Sequence, residues 1–317
     1  MQKTIVTLPP DFKIEKGAHL SLLGSCFSSN FAKKFQQAGH FVQSNPFGVI
    51  FDPFSISQLL EFVVTKNSSP DLRIISREDL YFSWLANSTC YAFSEQELKD
   101  LLKNQIYEFR QVLEKSDYLF VTFGTAWVYE WIEGSFVVAN CHKFPNNLFE
   151  KKLFCFQEIM DVWQNTLTQL IREFPKLQIV FTLSPVRHKK DGLIENSRSK
   201  ALLLNTIHHL KEMFRGKVHY FASYELVMDE LRDYAYFNKD GLHLNDIAVD
   251  YLWERFFSTH YSDENRKDIL RYQQLIKSQR HSPLHPGSLQ DKLFRDKLET
   301  ELKHFKEVHP YFCYLEG

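Results

Sequence analysis

Residues 19–37 run His-Leu-Ser-Leu-Leu-Gly-Ser-Cys-Phe-Ser-Ser-Asn-Phe-Ala-Lys-Lys-Phe-Gln-Gln, and this stretch decides the fold class. Its first five residues are largely apolar and run into a Gly-Ser pair, which is typical of a buried strand that ends in a turn. Two phenylalanines four residues apart then predict a helix over residues 28–37, which ends before Gly39. The chain therefore opens with a strand, a turn and a helix.

The same alternation continues along the chain. Further strands are predicted at residues 40–43, 118–122, 178–183 and 218–221. Helices are predicted at residues 95–113, 153–174, 199–214 and 246–257. Strands that alternate with helices predict right-handed crossovers and an α/β fold, in which helices cover both faces of a mainly parallel sheet.

Three segments depart from this alternation. Residues 67–93 are polar and irregular and indicate an insertion, whereas residues 129–132 and 136–139 flank a Glu-Gly turn and predict a hairpin. From about residue 261 the chain has 10 Lys+Arg and 9 Asp+Glu, with helical patterning over residues 290–307. We therefore divide the chain into an α/β domain, 1–260, and a helical C-terminal extension, 261–317.

Composition excludes several classes of protein. The 317 residues carry a formal net charge of −1, so a generally basic nucleic-acid footprint is absent. No apolar run approaches the roughly 18 residues of a membrane span, and residues 1–12 do not resemble a signal peptide. The five cysteines include no C-x-x-C pair, and there is neither G-x-G-x-x-G nor a P-loop. We expect a bacterial cytoplasmic protein without a metal or cofactor.

Ser25 is the first candidate for chemistry. In a parallel sheet, ligands lie outside the carboxyl ends of the strands, where Ser25 follows its strand and precedes a helix. Backbone N–H groups and the helix dipole there can stabilise an oxyanion beside a serine hydroxyl. The alternative is that Ser25 only caps the helix.

A nucleophilic serine needs a base and a group that orients the base. Asp240 and His243 are separated by three residues around Gly241, so a tight turn can direct both side chains into one cleft. The carboxylate can then accept from one imidazole nitrogen and leave the other for the serine. The same spacing is also compatible with an ordinary turn or helix cap.

The motifs together resemble the GSCFA family. Residues 24–28, Gly-Ser-Cys-Phe-Ser, are similar to its name-giving motif, except that the family has Ala where this chain has Ser28. Similar segments occur in the same order at residues 45–48, 123–129, 139–143, 184–188 and 221–234. The resemblance spans roughly residues 3–258 and excludes the tail.

This family in turn resembles the SGNH (GDSL-like) hydrolases, and the resemblance implies a fold and a mechanism. The fold would be a flavodoxin-like three-layer α/β/α sandwich. Ser25 would be the nucleophile, His243 the general base and then acid, and Asp240 the group that orients it. The oxyanion would be held by the N–H of Ser25, the N–H of Gly48 and the side chain of an Asn.

That Asn is missing from its expected place, because the chain has Gly124, Thr125 and Ala126 where Gly-x-Asn would stand. Either Thr125 or another Asn replaces it, or the chemistry is weak or different. Asn140 is our first choice and Asn45 the second, although both are also turn residues. His142, beside Asn140, is a further candidate for binding substrate.

Four further residues have two interpretations each. Cys26 is an alternative nucleophile or a small buried residue. Arg187 and His188 bind an anionic group or form a surface turn. Trp127 lines a pocket for an acyl group or sugar, or belongs to the core.

The sequence thus favours a serine-dependent ester hydrolase that acts on O-acyl, including O-acetyl, groups of a carbohydrate or similar small ester. An acyltransferase could use the same triad. A non-catalytic protein that binds carbohydrate or a partner on the same scaffold stays open, because fold alone does not imply activity. Phe294, Leu298 and Leu302 form an apolar stripe on the tail, which leaves a homodimer through the C-terminal helices open as well.

Overall fold

The computed structural model describes residues 4–65 and 71–313. The strands are β1 His19–Gly24, β2 Phe41–Ser44, β3 Ile74–Arg77, β4 Leu80–Ser83, β5 Tyr91–Ala92, β6 Tyr118–Phe123, β7 Trp127–Trp131, β8 Phe136–Val138, β9 Phe149–Leu153, β10 Gln178–Leu183 and β11 Val218–Phe221. The helices are α1 Cys26–Gln37, α2 Pro53–Thr65, α3 Glu95–Lys115, α4 Phe156–Glu173, α5 Leu193–Met213, α6 Ser223–Glu225, α7 Asp246–His260, α8 Asp263–Gln279 and α9 Leu289–Val308.

Five parallel strands form the central sheet in the order β2-β1-β6-β10-β11. Counted along the chain, this is the order 2-1-3-4-5 of flavodoxin-like sheets, in which the ligand site lies at the switch point beside the first strand. Here that point lies between the carboxyl ends of β1 and β6. The predicted α/β class is confirmed, and the five predicted strands all occur within one residue of their expected positions.

Helices cover both faces of this sheet. On one face, Leu22 of β1 and Phe120 of β6 share a core with α1 and α7. On the other face, Leu23 and Val121 share a second core with α2, α3, α4 and α5. Successive strand residues point to opposite faces, so each apolar strand supplies both cores and the result is a three-layer sandwich.

Two small antiparallel sheets flank the carboxyl end of the central sheet. The predicted hairpin is confirmed as β7 and β8, and β9 extends it to a sheet of three strands. Because β9 pairs with β7, α4 begins at Phe156 and not at residue 153. The prediction of an irregular insertion at 67–93 was wrong over its described residues, because β3, β4 and β5 form a second sheet there. Residues 67–70 lie outside the described part.

The tail helices pack against the α1 and α7 face. Tyr272 of α8 stacks on Phe312 with ring centroids 4.9 Å apart, and both are buried in the core that contains Phe35. The division at residue 260 and a homodimer through the tail stay predictions. In the described part of the chain, no helix is long and apolar enough to cross a membrane.

Three buried histidines and one half-buried histidine make stability depend on pH. Burial lowers the pKa of His40, His142, His188 and His260 to about 4 each. The His40 ring lies 2.8 Å from the hydroxyl of Tyr261 and 3.2 Å from the carbonyl oxygen of Ala18, so it is enclosed at the base of the tail. Between pH 6.5 and 4 the unfolded chain takes up protons that the folded chain does not, and stability is lost as pH falls.

We predict that His40→Gln loses less free energy of unfolding than the wild type between pH 6.5 and 4. The difference should approach about 1.4 kcal/mol per pH unit at most. Urea unfolding at pH 6.5, 5.5 and 4.5 measures it. His208→Gln, at an exposed position on α5, is the control and should keep the wild-type dependence. Equal pH dependence in wild type and His40→Gln would contradict this explanation.

Candidate active site

Ser25 lies at the junction of β1 and α1, against β6. It caps α1, with its Oγ accepting from the N–H of Phe27 at 3.3 Å, and it is 5% exposed. The preceding Gly24 has a φ of +134°, and a Cβ there would lie 2.3 Å from the carbonyl oxygen of Thr122. Only glycine allows β1 to approach β6 so closely while it turns into the helix.

A chain of hydroxyls lies beneath this turn. Ser28 Oγ lies 3.1 Å from the carbonyl oxygen of Leu23 and 2.7 Å from Thr122 Oγ1. Thr182 of β10 donates to the same Thr122 hydroxyl at 2.9 Å. Ser28 therefore ties the first turn of α1 to β6 and, through it, to β10. Alanine at this position, as in the family motif, could not form these bonds.

The two residues expected to hold the oxyanion from the β2 side have other functions. Asn45 Oδ1 accepts from the N–H of Gly24 at 2.9 Å, and its Nδ2 donates to Ser29 at 3.0 Å. The N–H of Gly48 donates to the carbonyl of Asn45 at 2.9 Å. The oxyanion role expected of Gly48 does not fit this geometry, because its donor is used in a turn. Asn45 instead stabilises the turn between β1 and α1, because it bonds to Gly24 on one side of Ser25 and to Ser29 on the other.

Asp240 and His243 form a hydrogen-bonded pair. Asp240 Oδ2 lies 2.6 Å from His243 Nδ1, and its Oδ1 accepts from the N–H groups of Leu242 at 2.8 Å and His243 at 3.0 Å. The bond from the His243 ring, followed by these backbone donors, lowers the pKa of Asp240 to about 2. The carboxylate thus holds the proton on Nδ1. Nε2, which has no partner among the described residues, is left as an acceptor.

A cleft of about 470 Å³ opens beside this pair. Six residues singled out from the sequence lie in its wall: Thr125, Trp127, Asn140, Arg187, His188 and His243. Ser25 is not part of that wall, and no hydrogen bond joins its Oγ to His243. Such bonds are often long in free enzymes and shorten when substrate binds.

Asn140, our first choice to replace the missing oxyanion donor, lies in the wall of the cleft with an unused amide donor. Its Oδ1 accepts from Ser88 Oγ at 2.9 Å and from the N–H of His142 at 2.8 Å. Its Nδ2 has no partner among the described residues and is free to donate into the cleft. In contrast, the Thr125 hydroxyl is already bound to Ser199 at 3.0 Å and to the N–H of Trp127 at 3.1 Å.

His142 donates its backbone N–H to Asn140 and does not line the cleft. It is 2% exposed, and its ring nitrogens lie 2.8 Å from the carbonyl of Ser83 and 3.0 Å from Ser88 Oγ. Its ring stacks on Phe82. The substrate-binding role predicted for His142 is therefore not supported by its position.

Lys200 is a buried cation that our sequence analysis did not single out. Its Nζ lies 2.6 Å from the carbonyl oxygen of Gly124 and 2.5 Å from that of Ser184, just beyond β6 and β10. It is 2% exposed, and burial lowers its pKa to about 7. Lys200 shares a helix face with Leu203 and Ile207, so a lysine on an apolar face was the available signal.

Gly124 is held from both sides. Its N–H donates to Phe51 at 2.6 Å, while its carbonyl accepts from Lys200. A Cβ at Gly124 would lie 2.9 Å from Phe51 and 3.3 Å from His188 Nε2. Gly124 therefore does not donate to an oxyanion; it allows His188 and Phe51 to approach the carboxyl end of β6.

Charges at this edge act on Cys26. Burial raises the pKa of its thiol, the N–H groups of Phe27 and Cys26 and the charge of Lys200 oppose that rise, and the charge of Asp240 adds to it. Lys200 and Asp240 thus both lie within electrostatic range of Cys26 at the α1 N-terminus. A raised thiol pKa disfavours the thiolate, which argues against Cys26 as nucleophile.

Comparison with known protein families matches the part of the chain that contains the candidate site. The model of the GSCFA family matches residues 19–256, which include Ser25, Asp240 and His243. The tail helices lie beyond the match. No curated protein matches the chain.

We predict that Lys200→Met removes a pH dependence from stability. Between pH 7 and 9 the unfolded chain keeps a proton on Lys200 that the folded chain releases, so wild-type stability rises with pH relative to the variant. The difference should grow by about 1.4 kcal/mol per pH unit at most. Urea unfolding at pH 7, 8 and 9 measures it.

Lys103→Met, at an exposed position on α3, is the matched control and should follow the wild type. A constant difference between wild type and Lys200→Met across this range would show that Lys200 keeps its proton in the folded chain.

Proposed function

The chain belongs to the GSCFA family, and on that premise we propose that it is a serine-dependent ester hydrolase. Its substrates would carry O-acyl groups, acetyl among them, on a carbohydrate or similar small molecule. The observation that carries this proposal is the 2.6 Å bond between Asp240 and His243, with Nε2 unpartnered at the edge of the sheet that also carries Ser25.

In the first step, Ser25 Oγ attacks the acyl carbonyl and His243 Nε2 takes the hydroxyl proton. The imidazolium that forms is stabilised by Asp240, whose pKa of about 2 keeps it ionised at neutral pH. The carbonyl oxygen becomes an oxyanion, and His243 then returns the proton to the departing alcohol. The products of this step are the free alcohol and an acyl group on Ser25.

Two donors favour the oxyanion at this position. The N–H of Ser25 itself, expected to bind the oxyanion, donates to the carbonyl oxygen of Thr122 at 3.3 Å, and that of Phe27 donates to Ser25 Oγ. The N-terminus of α1 would therefore contribute the N–H of Cys26 and the positive end of its dipole beside Ser25. Asn140 contributes its Nδ2, which is oriented by the bonds that its Oδ1 makes to Ser88 and His142. Loss of one such donor typically lowers the rate by about 10²–10³-fold.

In the second step, water attacks the acyl group and gives a proton to His243. The bond between the acyl group and Ser25 Oγ then breaks, His243 returns the proton to Oγ, and the free acid leaves. The His243 side chain is 50% exposed, so water reaches Nε2 directly. This exposure favours hydrolysis over transfer of the acyl group to a second alcohol, because an acyltransferase must keep water from the acyl-enzyme.

We predict that a serine-directed fluorophosphonate labels the protein on Ser25. Intact mass should show one adduct on wild type and none on Ser25→Ala. Since His243 removes the hydroxyl proton, His243→Ala should label at least about 10²-fold more slowly. Mass spectrometry of peptides from a time course of labelling measures both.

Cys26→Ala is the control and should label at the wild-type rate. An adduct on Cys26 would identify Cys26, and not Ser25, as the nucleophile. Absence of any adduct on folded wild type would contradict the proposal and favour a non-catalytic binding protein.

A further inference from the structure

Positive charge exceeds negative charge in the cleft beside His243. Its wall contains four cationic side chains, those of Lys151, Arg187, Lys189 and Lys190, and two acidic ones, those of Asp52 and Asp191. Lys151 and Asp191 form an ion pair and offset each other. Asp52 is buried at the start of α2, where it accepts from the N–H of Ser55 at 2.8 Å, and burial raises its pKa to about 6.

Arg187 is held in place without a carboxylate partner. Its guanidinium lies 5.0 Å from the ring centre of Phe237 and 5.5 Å from that of Tyr234, whose hydroxyl accepts from Nη1 at 3.3 Å. It forms no ion pair within the described residues. Most of its five N–H donors are therefore unused, and the two rings limit its movement.

The position of Arg187 is linked to that of the base. Phe237 pairs with Leu244 across the loop that carries Asp240 and His243. A group bound by Arg187 is thus fixed relative to His243 Nε2. Lys189 and Lys190, both exposed and free of ion pairs among the described residues, add two charges at the mouth of the cleft.

Two further polar groups of the wall are donors. Asn140 offers its Nδ2, and the buried indole N–H of Trp127 has no acceptor in the described part of the chain. His188 is neutral near pH 7, because burial first, and then the charge of Lys200, lowers its pKa to about 4. A wall rich in donors and cations suits a ligand rich in oxygen and negative charge.

We propose that the substrate ester carries an anionic group, which Arg187 binds while the ester lies at Ser25 and His243. A neutral ligand would displace water from Arg187 without pairing its charge, whereas a carboxylate or phosphate matches its planar set of donors. The volume of about 470 Å³ suits a ligand of sugar size. The substrate class is therefore an O-acylated acidic sugar, and the ester part of this inference rests on the proposed function.

Binding of the de-esterified sugars tests the anionic group without relying on catalysis. Isothermal titration calorimetry compares glucuronate, glucose 6-phosphate and neutral glucose on wild type and on Ser25→Ala. We expect at least one anionic sugar to bind both proteins at least 10-fold more tightly than glucose. Whether glucuronate or glucose 6-phosphate binds more tightly identifies the anion as a carboxylate or a phosphate.

Two arginine variants test the residue. Arg187→Gln should weaken binding of the preferred anionic sugar at least 10-fold and leave that of glucose unchanged. Arg198→Gln, an exposed position on α5 outside the cleft wall, is the control and should bind like wild type. Equal binding of glucose and both anions, or an unchanged affinity in folded Arg187→Gln, would overturn the inference.

A kinetic comparison separates this inference from the proposed function. Phenyl acetate and 4-acetoxybenzoate present the same acetyl ester on a neutral and an anionic alcohol, and we expect kcat/KM to be at least 10-fold higher for the anion in low salt. Hydrolysis of both esters at equal rates in every salt concentration would overturn the anionic preference and leave the esterase. Binding of anionic sugars without hydrolysis of either ester would contradict the esterase and leave the anion site.

Discussion

The close approach of β1 to β6 at Gly24 is the constraint on which the site depends. A side chain at this position would meet the carbonyl of Thr122 at 2.3 Å, so β1 could not turn into α1 at the same place. This turn puts Ser25 at the α1 N-terminus, and it is fixed by Asn45 from β2 and by Ser28 through Thr122. The serine is thus positioned by backbone geometry and by bonds from the two strands that neighbour β1, namely β2 and β6.

Charged side chains determine the rest of the site, which includes His243 and the cleft beside it. Lys200 joins the carboxyl ends of β6 and β10 through two carbonyl oxygens, and its burial keeps a titratable amine next to the α1 N-terminus. Asp240 provides the opposite charge across the edge and fixes the tautomer of His243. The cleft beside His243 takes its further charge from Arg187 and its neighbours, and the proposed preference for anions rests on these side chains.

Much of the fold was predictable, because buried parallel strands are nearly continuous apolar runs and therefore stand out in the sequence. The helix α2 was missed, since its residues 53–65 are mostly buried and show no clear polar face. The small strands β3 to β5 were missed because they are two to four residues long and mixed in polarity. Such elements are defined by their partners and not by their own pattern.

The site was predictable where local sequence determines geometry and not where tertiary contacts do. Asp240 and His243 bond within one turn, so their spacing was sufficient evidence for the pair. Gly48 was expected to donate to an oxyanion, but its N–H is used by Asn45, a contact that spacing does not reveal. The β7 and β8 hairpin places Asn140 at the cleft, and the packing of α5 places Lys200 at the carboxyl ends of β6 and β10.

The central claim is that Ser25 and His243 act as one unit, and a double-mutant cycle tests it most directly. We would measure kcat/KM for 4-nitrophenyl acetate in wild type, Ser25→Ala, His243→Ala and the double variant. Groups that act together are strongly non-additive, so the double variant should lose no more activity than the more damaging single variant. Losses that add, with each residue contributing independently, would contradict the claim.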